Sequence, residues 1–240
     1  MPRVLGRICG FILPCLLAAC AGGPGVSGKK NTSKSFTTVV VDAGHGGKDT
    51  GAYRRYGGAE KLATLDVAKR LDRKLRESQF KTVMTRSSDV FVELDQRAAI
   101  GNRQSNSIFV SIHFNDSRRR VIRGFETYYN SSISRELADR IQRKLTSIRG
   151  SANRGVHVAN FRVLRLANYP SVLVECGFLS NRREGGSARD SEYRDLLADK
   201  IAEAIVEQRY GSGVYQASAT AAAPAAGNPA AAPAPAKVKN

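Results

Sequence analysis

Three apolar, β-rich segments each end close to a side chain that can bind a metal ion or carry a proton. The segments cover residues 38–41, 108–112 and 172–174, and they are nearly free of polar side chains. Strands of this kind must be covered on both faces, which is typical of parallel sheets flanked by helices. In such sheets ligands bind beyond the carboxyl ends of the strands. The side chains that follow the three segments are His45, His113 and Glu175.

Segments with helical spacing of apolar residues alternate with β-rich segments along the chain. Helices are predicted at residues 62–75, 94–102, 137–148 and 196–206. Further strands are predicted at residues 80–84, 124–129 and 162–166. This alternation predicts a single α/β domain with a mostly parallel β-sheet covered by helices on both faces.

The N-terminus has the pattern of an export signal. Two arginines precede an apolar run at residues 8–17, and small residues follow before Cys20. The run is too short for a comfortable transmembrane helix. The Leu-Ala-Ala-Cys segment at residues 17–20 resembles the bacterial lipobox, which implies that residues 1–19 are a cleaved signal peptide and that Cys20 carries lipid. An ordinary signal peptide that contains a cysteine is the alternative.

Two aperiodic segments enclose the predicted domain. Residues 20–35 are rich in Gly, Ser and Lys, so we expect the lipidated cysteine to be followed by a flexible tether. Residues 211–240 are dominated by Ala and Pro and are predicted to form a disordered tail. The folded domain is therefore expected at residues 36–210.

Composition narrows the chemical classes of possible binding partner. The chain has 38 Lys and Arg against 21 Asp and Glu, a formal net charge of +17. This excess favours a polyanionic partner such as nucleic acid, anionic lipid or an acidic wall polymer, and a solvated basic surface is the plain alternative. Export argues against nucleic acid. Cys176 is the only cysteine that remains if the signal is cleaved and Cys20 is lipidated, so no intramolecular disulfide is expected.

One carboxylate and two imidazoles form a candidate metal site. His45, Glu60 and His113 would supply three protein ligands and leave one position open, as in catalytic zinc sites. Glu60 is expected to open a helix, where the helix dipole favours a carboxylate. Asp42 or Asp49 is expected to orient the ring of His45. Taken singly, each of these residues also fits an ordinary polar surface position.

Glu175 closes an apolar strand, where an unpaired carboxylate is costly to desolvate. Beside a zinc site it could act as a general base, and a salt bridge to an arginine is the alternative. Cys176 is predicted to be a small buried packing residue. His157, between two valines, is predicted to be structural.

Seven motifs, in their order and spacing, resemble the Amidase_3 family of zinc-dependent N-acetylmuramoyl-L-alanine amidases. They are DAGHGGKDTGA at residues 42–52, EK at 60–61, TR at 85–86, LDQR at 94–97, SIHFN at 111–115, GFETYY at 124–129 and ECGFLSN at 175–181. The resemblance covers roughly residues 37–210, almost the whole predicted domain.

The resemblance implies that His45, Glu60 and His113 bind Zn²⁺ and that Glu175 is the catalytic acid and base. The expected reaction is hydrolysis of the amide between N-acetylmuramic acid and L-alanine in peptidoglycan. Asn115 and Arg86 are expected to orient stem-peptide groups. Some family members carry an inserted helix that plugs the site, whereas the segment after His113 is here too short for one.

The sequence therefore predicts an exported, monomeric amidase of the cell envelope or periplasm, held at the membrane by a lipid anchor. A peptidoglycan-binding lipoprotein without catalytic activity is the main alternative, and the four residues named for the site argue against it. A zinc peptidase is a further alternative. It is disfavoured because the chain has no His-Glu-x-x-His motif.

Overall fold

The computed structural model describes residues 28–216. Its strands are β1 (Thr38–Ala43), β2 (Tyr53–Arg54), β3 (Gly58–Ala59), β4 (Lys81–Met84), β5 (Ser107–Asn115), β6 (Phe125–Tyr129), β7 (Asn153–Val158) and β8 (Ser171–Phe178). Its helices are α1 (Glu60–Glu77), α2 (Leu94–Asn102), α3 (Arg135–Thr146), α4 (Arg162–Leu166), α5 (Arg182–Ala188) and α6 (Ser191–Tyr210). None of the helices in this part of the chain has the length and apolarity needed to cross a membrane.

A six-stranded sheet in the order β4-β1-β5-β8-β6-β7 forms the centre of the domain. Neighbouring strands run parallel, except that β6 is antiparallel to β8. The short β2–β3 pair forms a separate hairpin. The fold prediction of one α/β domain with a mostly parallel sheet is thereby confirmed.

Alternation along β1 and β5 explains why helices cover both faces of the sheet. Val39 and Val41 belong to the larger apolar cluster, which includes side chains of α1, α3 and α6. Val40 and Phe109 point to the opposite face, where they join Leu164 of α4. Burying each of these side chains contributes about 1.5–3 kcal/mol. Because both faces are apolar, the strands lack the polar alternation of a half-exposed sheet.

The prediction of a strand at residues 162–166 is wrong. This segment is the short helix α4, in which Val163 and Leu164 are both buried between exposed neighbours. Two adjacent buried residues fit the helical period, whereas a strand would turn them to opposite faces. The strand in this region is β7, whose sequence Asn-Arg-Gly-Val-His-Val is largely exposed because it forms an edge of the sheet.

Helix α5 was also missed, because two glycines in seven residues lower its helix propensity. The side chain of Asn181 caps it by accepting hydrogen bonds from the backbone of Arg183 and Glu184. A Cβ atom at Gly185 would lie 2.5 Å from the carbonyl oxygen of Leu179, so close packing requires this glycine.

The domain extends beyond residues 36–210 at both ends. Lys29 Nζ donates hydrogen bonds to the carbonyls of Leu164 (3.0 Å) and Ala167 (2.8 Å), so the last part of the predicted tether is attached. Tyr215 donates a hydrogen bond of 2.8 Å to Asp199, so the tail begins later than residue 211. The predicted signal peptide, Cys20 and most of the predicted tail lie outside the described residues.

Candidate metal centre and active-site cleft

The predicted site residues come together at the carboxyl end of the parallel strands. His45 lies in the loop after β1, and Glu60 is the first residue of α1. His113 on β5 and Glu175 on β8 lie directly opposite each other in register. His113 and Glu175 therefore lie within their strands, whereas the apolar patterns indicated positions beyond the strand ends.

His45, Glu60 and His113 form a compact group of metal-ligating atoms. One atom from each residue lies within 4.8 Å of the other two. Glu60 Oε1 is 3.0 Å from His45 Nε2 and 3.1 Å from His113 Nδ1. The rings of the two histidines meet edge to face, with their centroids 4.8 Å apart. The group can thus share a single ion.

Two glycines leave the space that this group occupies. A Cβ atom at Gly44 would lie 2.4 Å from the His113 ring. A Cβ atom at Gly51, where φ is +61°, would lie 2.6 Å from Glu60 Oε2 and 2.7 Å from the His45 ring. Two imidazole nitrogens and a carboxylate oxygen match the ligand types of catalytic zinc, so the residues fit this metal.

The loop that carries His45 fixes both its backbone and its ring. The residue has a φ of 60°, which is uncommon for a residue with a side chain. Its Nδ1 lies 2.8 Å from Asp49 Oδ2, which leaves Nε2 directed towards Glu60. Asp49 is therefore the carboxylate that orients this ring. The adjacent carboxylates raise the pKa of His45 despite its burial, which acts in the opposite direction.

Asp42 has a different role, beneath this loop. It is 1% exposed and accepts hydrogen bonds from Thr85 (2.6 Å), Ser111 (2.6 Å) and Arg97 (2.9 Å). Arg97 also donates to the backbone carbonyl of His45 at 2.6 Å. The pair thus ties β1, β5 and α2 to the loop of the metal centre.

Arg86 does not reach the cleft, contrary to the expectation that it orients substrate. It is 3% exposed, and its guanidinium donates to the carbonyls of Ala43 (2.9 Å), Gly44 (2.7 Å) and Lys61 (2.8 Å). The guanidinium thus joins the backbone at the end of β1 to the first turn of α1. Arg86 therefore supports the backbone around His45.

Glu60 is held as a carboxylate by its neighbours. Besides the two histidines, Phe114 N donates to Oε1 at 3.0 Å and Ala52 N donates to Oε2 at 2.9 Å. Burial opposes ionisation, but the hydrogen bonds from His113 and His45 outweigh it and hold the pKa of Glu60 well below its ordinary value. An ionised carboxylate is the form that binds metal.

Glu175 has the opposite surroundings. Its Oε2 atom is buried without a hydrogen-bond partner. Burial, followed by the negative charges of Glu60 and Glu126, raises the pKa of Glu175 well above its ordinary value. No ion pair forms between Glu175 and any arginine of residues 28–216, so the salt-bridge alternative does not describe this side chain.

An open cleft of about 480 Å³ leads to these groups. His45, His113 and Glu175 line its inner end. Apolar side chains from the loop before α2, from α2 and α4 and from β8 form much of the wall, namely Phe91, Val92, Leu94, Phe161, Val163 and Leu173. A largely apolar cleft with a few convergent polar groups is the usual form of a binding site for a small group or a polymer segment.

Residues 39–207 match the Amidase_3 family, described as N-acetylmuramoyl-L-alanine amidase. The chain belongs to the Amidase_3 family. The match includes every residue of the metal centre and Glu175. The presence of the family motifs at the carboxyl edge of the sheet agrees with this assignment.

Similarity to individual amidases extends through the described domain. The chain is 36% identical over 173 residues to the N-acetylmuramoyl-L-alanine amidase LytC of Bacillus subtilis, a match that covers 70% of this chain and 35% of LytC. The chain thus spans about a third of the length of LytC. It is also 36% identical over 210 residues to the uncharacterized protein YqiI of Bacillus subtilis, covering 85% of this chain and 97% of YqiI.

Solved amidase structures share the fold. The N-acetylmuramoyl-L-alanine amidase AmiC2 of Nostoc punctiforme is 38% identical with a TM-score of 0.69, covering 71% of this chain and 95% of AmiC2. The catalytic domain of CwlV from Bacillus (Paenibacillus) polymyxa is 36% identical with a TM-score of 0.68, covering 72% of this chain and 97% of that domain.

Sequence reasoning missed one acidic residue of this Amidase_3 domain. Glu126 on β6 lies directly across the sheet from Glu175 and is 5% exposed. It accepts hydrogen bonds from Asn115 Nδ2 (2.6 Å), Arg154 Nε (2.7 Å) and the Tyr128 hydroxyl (3.1 Å). A glutamate within the β-rich GFETYY segment, beside an antiparallel partner strand, is the signal that could have revealed it.

Asn115 is half-buried, and both ends of its amide are engaged. Its Nδ2 donates to Glu126, and its Oδ1 accepts from the backbone of Asp116 at 2.7 Å. Asn115 therefore helps to fix Glu126, and its expected contact with stem-peptide groups stays a prediction.

His157 and Cys176, which the sequence predicted to be structural, lie outside the metal centre. His157 is exposed on β7 and contacts the ring of Tyr128 at a centroid distance of 5.4 Å. Cys176 is 1% exposed, and burial raises the pKa of its thiol well above the ordinary value. A thiol with a raised pKa is a poor nucleophile, which agrees with a packing role.

Proposed function

We propose that this chain is a zinc-dependent N-acetylmuramoyl-L-alanine amidase that hydrolyses the amide between N-acetylmuramic acid and L-alanine of the peptidoglycan stem. The observation that carries the proposal is the convergence of His45, Glu60 and His113 beside Glu175, at the inner end of an open cleft. Membership of the amidase family and the similarity to LytC, AmiC2 and CwlV support the same reaction.

His45, Glu60 and His113 would hold the zinc ion. Zinc at this position supplies Lewis acidity for the amide carbonyl and for water. Glu60 contributes negative charge to the ligand set, because its two histidine contacts and two backbone donors keep it ionised. Asp49 keeps the ring of His45 in the orientation that presents Nε2.

Glu175 carries the proton during the reaction. Its ionised form accepts a proton from the attacking water, and its protonated form donates that proton to the nitrogen of the leaving L-alanine. Glu175 lines the cleft, so its carboxyl group lies where bound substrate and water can approach it. Its raised pKa makes the ionised form a stronger proton acceptor than an ordinary glutamate.

Mass spectrometry of peptidoglycan digests tests this proposal. The wild-type chain and Glu175→Ala are incubated with purified sacculi, each with and without a metal chelator. We expect free stem peptides with a new L-alanine amine only from the wild-type chain without chelator. If Glu175→Ala releases them at the wild-type rate, Glu175 does not carry the proton. If the wild-type chain releases none, a peptidoglycan-binding lipoprotein without activity becomes the better explanation.

The accessible cleft supports activity without an activating partner. Between Asn115 and β6 the structure has a loop that includes Asp116–Gly124 and no helix. Zymography on purified peptidoglycan, with the chain as the only protein, measures this directly. We expect a cleared band, and a strict requirement for an added activator would contradict an open site.

We further propose that the chain is exported and anchored to the membrane through lipid on Cys20. The signal-like sequence that ends at Cys20 supports this proposal. In the described chain, Lys30 N donates to Asn168 O (2.7 Å) and Thr32 Oγ1 to Ser107 O (2.6 Å), close to the amino ends of β8 and β5. The tether would thus join the domain at the edge opposite to the metal centre. Metabolic labelling with a fatty acid is expected to label the wild-type chain and not Cys20→Ala, and equal labelling would contradict the proposal.

A further inference from the structure

A continuous basic surface lies beside the metal centre but outside the cleft. Two depressions of about 410 and 670 Å³ share Tyr56, Arg120 and Ser180, so they form one surface. Neither depression shares a lining residue with the cleft. We call this region the arginine surface and define it by its cations, which are Arg55, Arg118, Arg120, Arg123, Arg182 and Arg183.

The arginine surface lacks carboxylates to neutralise it. These six exposed guanidinium groups form no ion pair with a carboxylate of residues 28–216. The nearby Asp116 is paired with Arg54, at 2.7 Å from its Nε. Glu184 is 9% exposed and accepts hydrogen bonds from the backbones of Gly124 and Phe178 at 2.8 Å each. The surface therefore keeps its positive charge.

Hydrogen bonds fasten the backbone of the loop that carries Arg118 and Arg120. Ser180 Oγ accepts from Ser117 N at 2.9 Å, and Asn181 Nδ2 donates to Arg120 O at 2.9 Å. Within the loop, Ile122 N donates to Arg119 O at 3.0 Å. A loop fastened in this way loses little conformational freedom when a ligand binds, which favours affinity.

The position of the arginine surface selects its partner. It is formed by the β2–β3 hairpin, the loop after β5 and the start of α5, all at the carboxyl edge of the sheet. The proposed tether joins the domain near Ser107, at the other end of β5. His113 lies six positions after Ser107 along β5, a distance of roughly 20 Å. The arginine surface thus lies at the same end of the sheet as the cleft, and the proposed membrane tether joins the opposite end.

We infer that the arginine surface binds carboxylates of peptidoglycan stem peptides that lie next to the peptide being cut. Guanidinium groups form paired hydrogen bonds with carboxylates, and several together hold a polymer with many weak contacts. The inference rests on the proposed function, because peptidoglycan is the polymer that the cleft would engage. It adds a second contact that holds the enzyme on its substrate.

Sedimentation with intact sacculi tests the inference. The full chain with Glu175→Ala is used, so that the sacculi are not digested. Adding Arg55→Ser, Arg118→Ser and Arg120→Ser is expected to weaken binding roughly tenfold, because each exposed charge contact contributes modestly. A matched triple variant replaces Lys81, Arg103 and Arg143 with serine; these residues are exposed and line neither depression, so it is expected to bind as the parent does.

Modified sacculi identify the group that is bound. Amidation of the peptidoglycan carboxylates is expected to weaken the parent chain as much as the arginine triple variant does. Removal of phosphodiester-linked wall polymers with hydrofluoric acid is expected to leave binding unchanged. Unchanged binding of the arginine triple variant, or an equal loss in the control triple, overturns the inference.

Binding to vesicles of anionic phospholipid tests the alternative that the arginine surface binds a membrane. Binding of the parent to vesicles that is lost in the arginine triple variant, with sacculus binding unaffected, assigns the surface to lipid and overturns the inference. Because binding is measured without catalysis, it is independent of the amide-cleavage test. Sacculus binding without amide release by the wild-type chain would refute the proposed activity alone.

Discussion

Glu60 and Glu175 are two glutamates at the same edge of the sheet with opposite surroundings. Glu60 is 4% exposed and has two histidines and two backbone N–H groups around its oxygens. Glu175 has a buried Oε2 without a partner and acidic neighbours. The pKa of Glu60 is therefore held down, and the pKa of Glu175 is raised. The comparison supports the proposed division of roles, in which Glu60 binds the metal ion and Glu175 carries the proton.

The residues that support the Glu60 side of the site also differ from those that support the Glu175 side. The ligand side rests on buried Asp42, Arg86 and Arg97, whose hydrogen bonds fix the backbone around His45. On the other side, Glu126 is fixed by Asn115 and Arg154 and places a negative charge across the sheet from Glu175. These two sets of contacts agree with the proposal that one side of the site binds a cation and the other transfers a proton.

Removal of the metal is the largest expected change. Exhaustive chelation should abolish amide release, because the ligand side of the site then lacks its cation. Addition of stoichiometric zinc should restore it. Circular dichroism should be little changed, because the core is formed by apolar strands and helices. Full activity in the chelated protein, with zinc absent by elemental analysis, would refute a metal requirement.

Breaking the buried pair under the ligand side should cost stability. Arg97→Met leaves the carboxylate of Asp42 buried without its cation, which is 2.9 Å away in the structure. We expect the free energy of unfolding to fall by about 3–5 kcal/mol. Arg103→Met, at an exposed position just after α2, should change it by less than about 0.5 kcal/mol. Urea titration measures both, and equal effects would refute the supporting role of the pair.

Asp49→Asn should weaken metal binding without removing a ligand. The His45 ring would lose its carboxylate partner at 2.8 Å. A loss of about 10–100-fold in zinc affinity is expected, as for other residues that orient metal ligands. Competition with a chromophoric chelator measures the affinity. Asp72→Asn, on the surface of α1 and paired with Arg76, serves as the control and should leave it unchanged.

Glu126→Gln should shift the pH dependence of the rate. Glu126 is one of the charges that raise the pKa of Glu175, so its removal favours the ionised form of Glu175 and lowers that pKa. The acid limb of the rate profile, where Glu175 must ionise, should move to lower pH. Glu136→Gln, exposed on α3, should leave the limb in place. A shift to higher pH would contradict the assigned sign.

Much of the fold could be predicted because its strands are so apolar. Within β1, β5 and β8, residues 39–41, 108–110 and 172–174 are all apolar, and such runs require cover on both faces of the sheet. Strand β7 and helix α5 were missed, since an exposed edge strand and a glycine-containing helix have weak local patterns. Tertiary contacts stabilise both elements.

The site was predictable in its charged residues and less so in its supports. His45, Glu60 and His113 carried a recognisable ligand set, and the structure brings them together. Arg86 belonged to a motif, yet its burial depends on carbonyl groups that the sequence does not display. Glu126 was missed because register across antiparallel strands cannot be read from either strand alone.

Side-by-side assay of Glu60→Gln and Glu175→Gln tests the central comparison most directly. Zinc content by elemental analysis and release of L-alanine amines by mass spectrometry are measured on the same samples. We predict that Glu60→Gln loses zinc and activity together. Glu175→Gln should keep about one equivalent of zinc, the single ion of such a site, while its rate falls about 10²–10⁴-fold. Loss of zinc from Glu175→Gln, or its cleavage at the wild-type rate, would contradict the account.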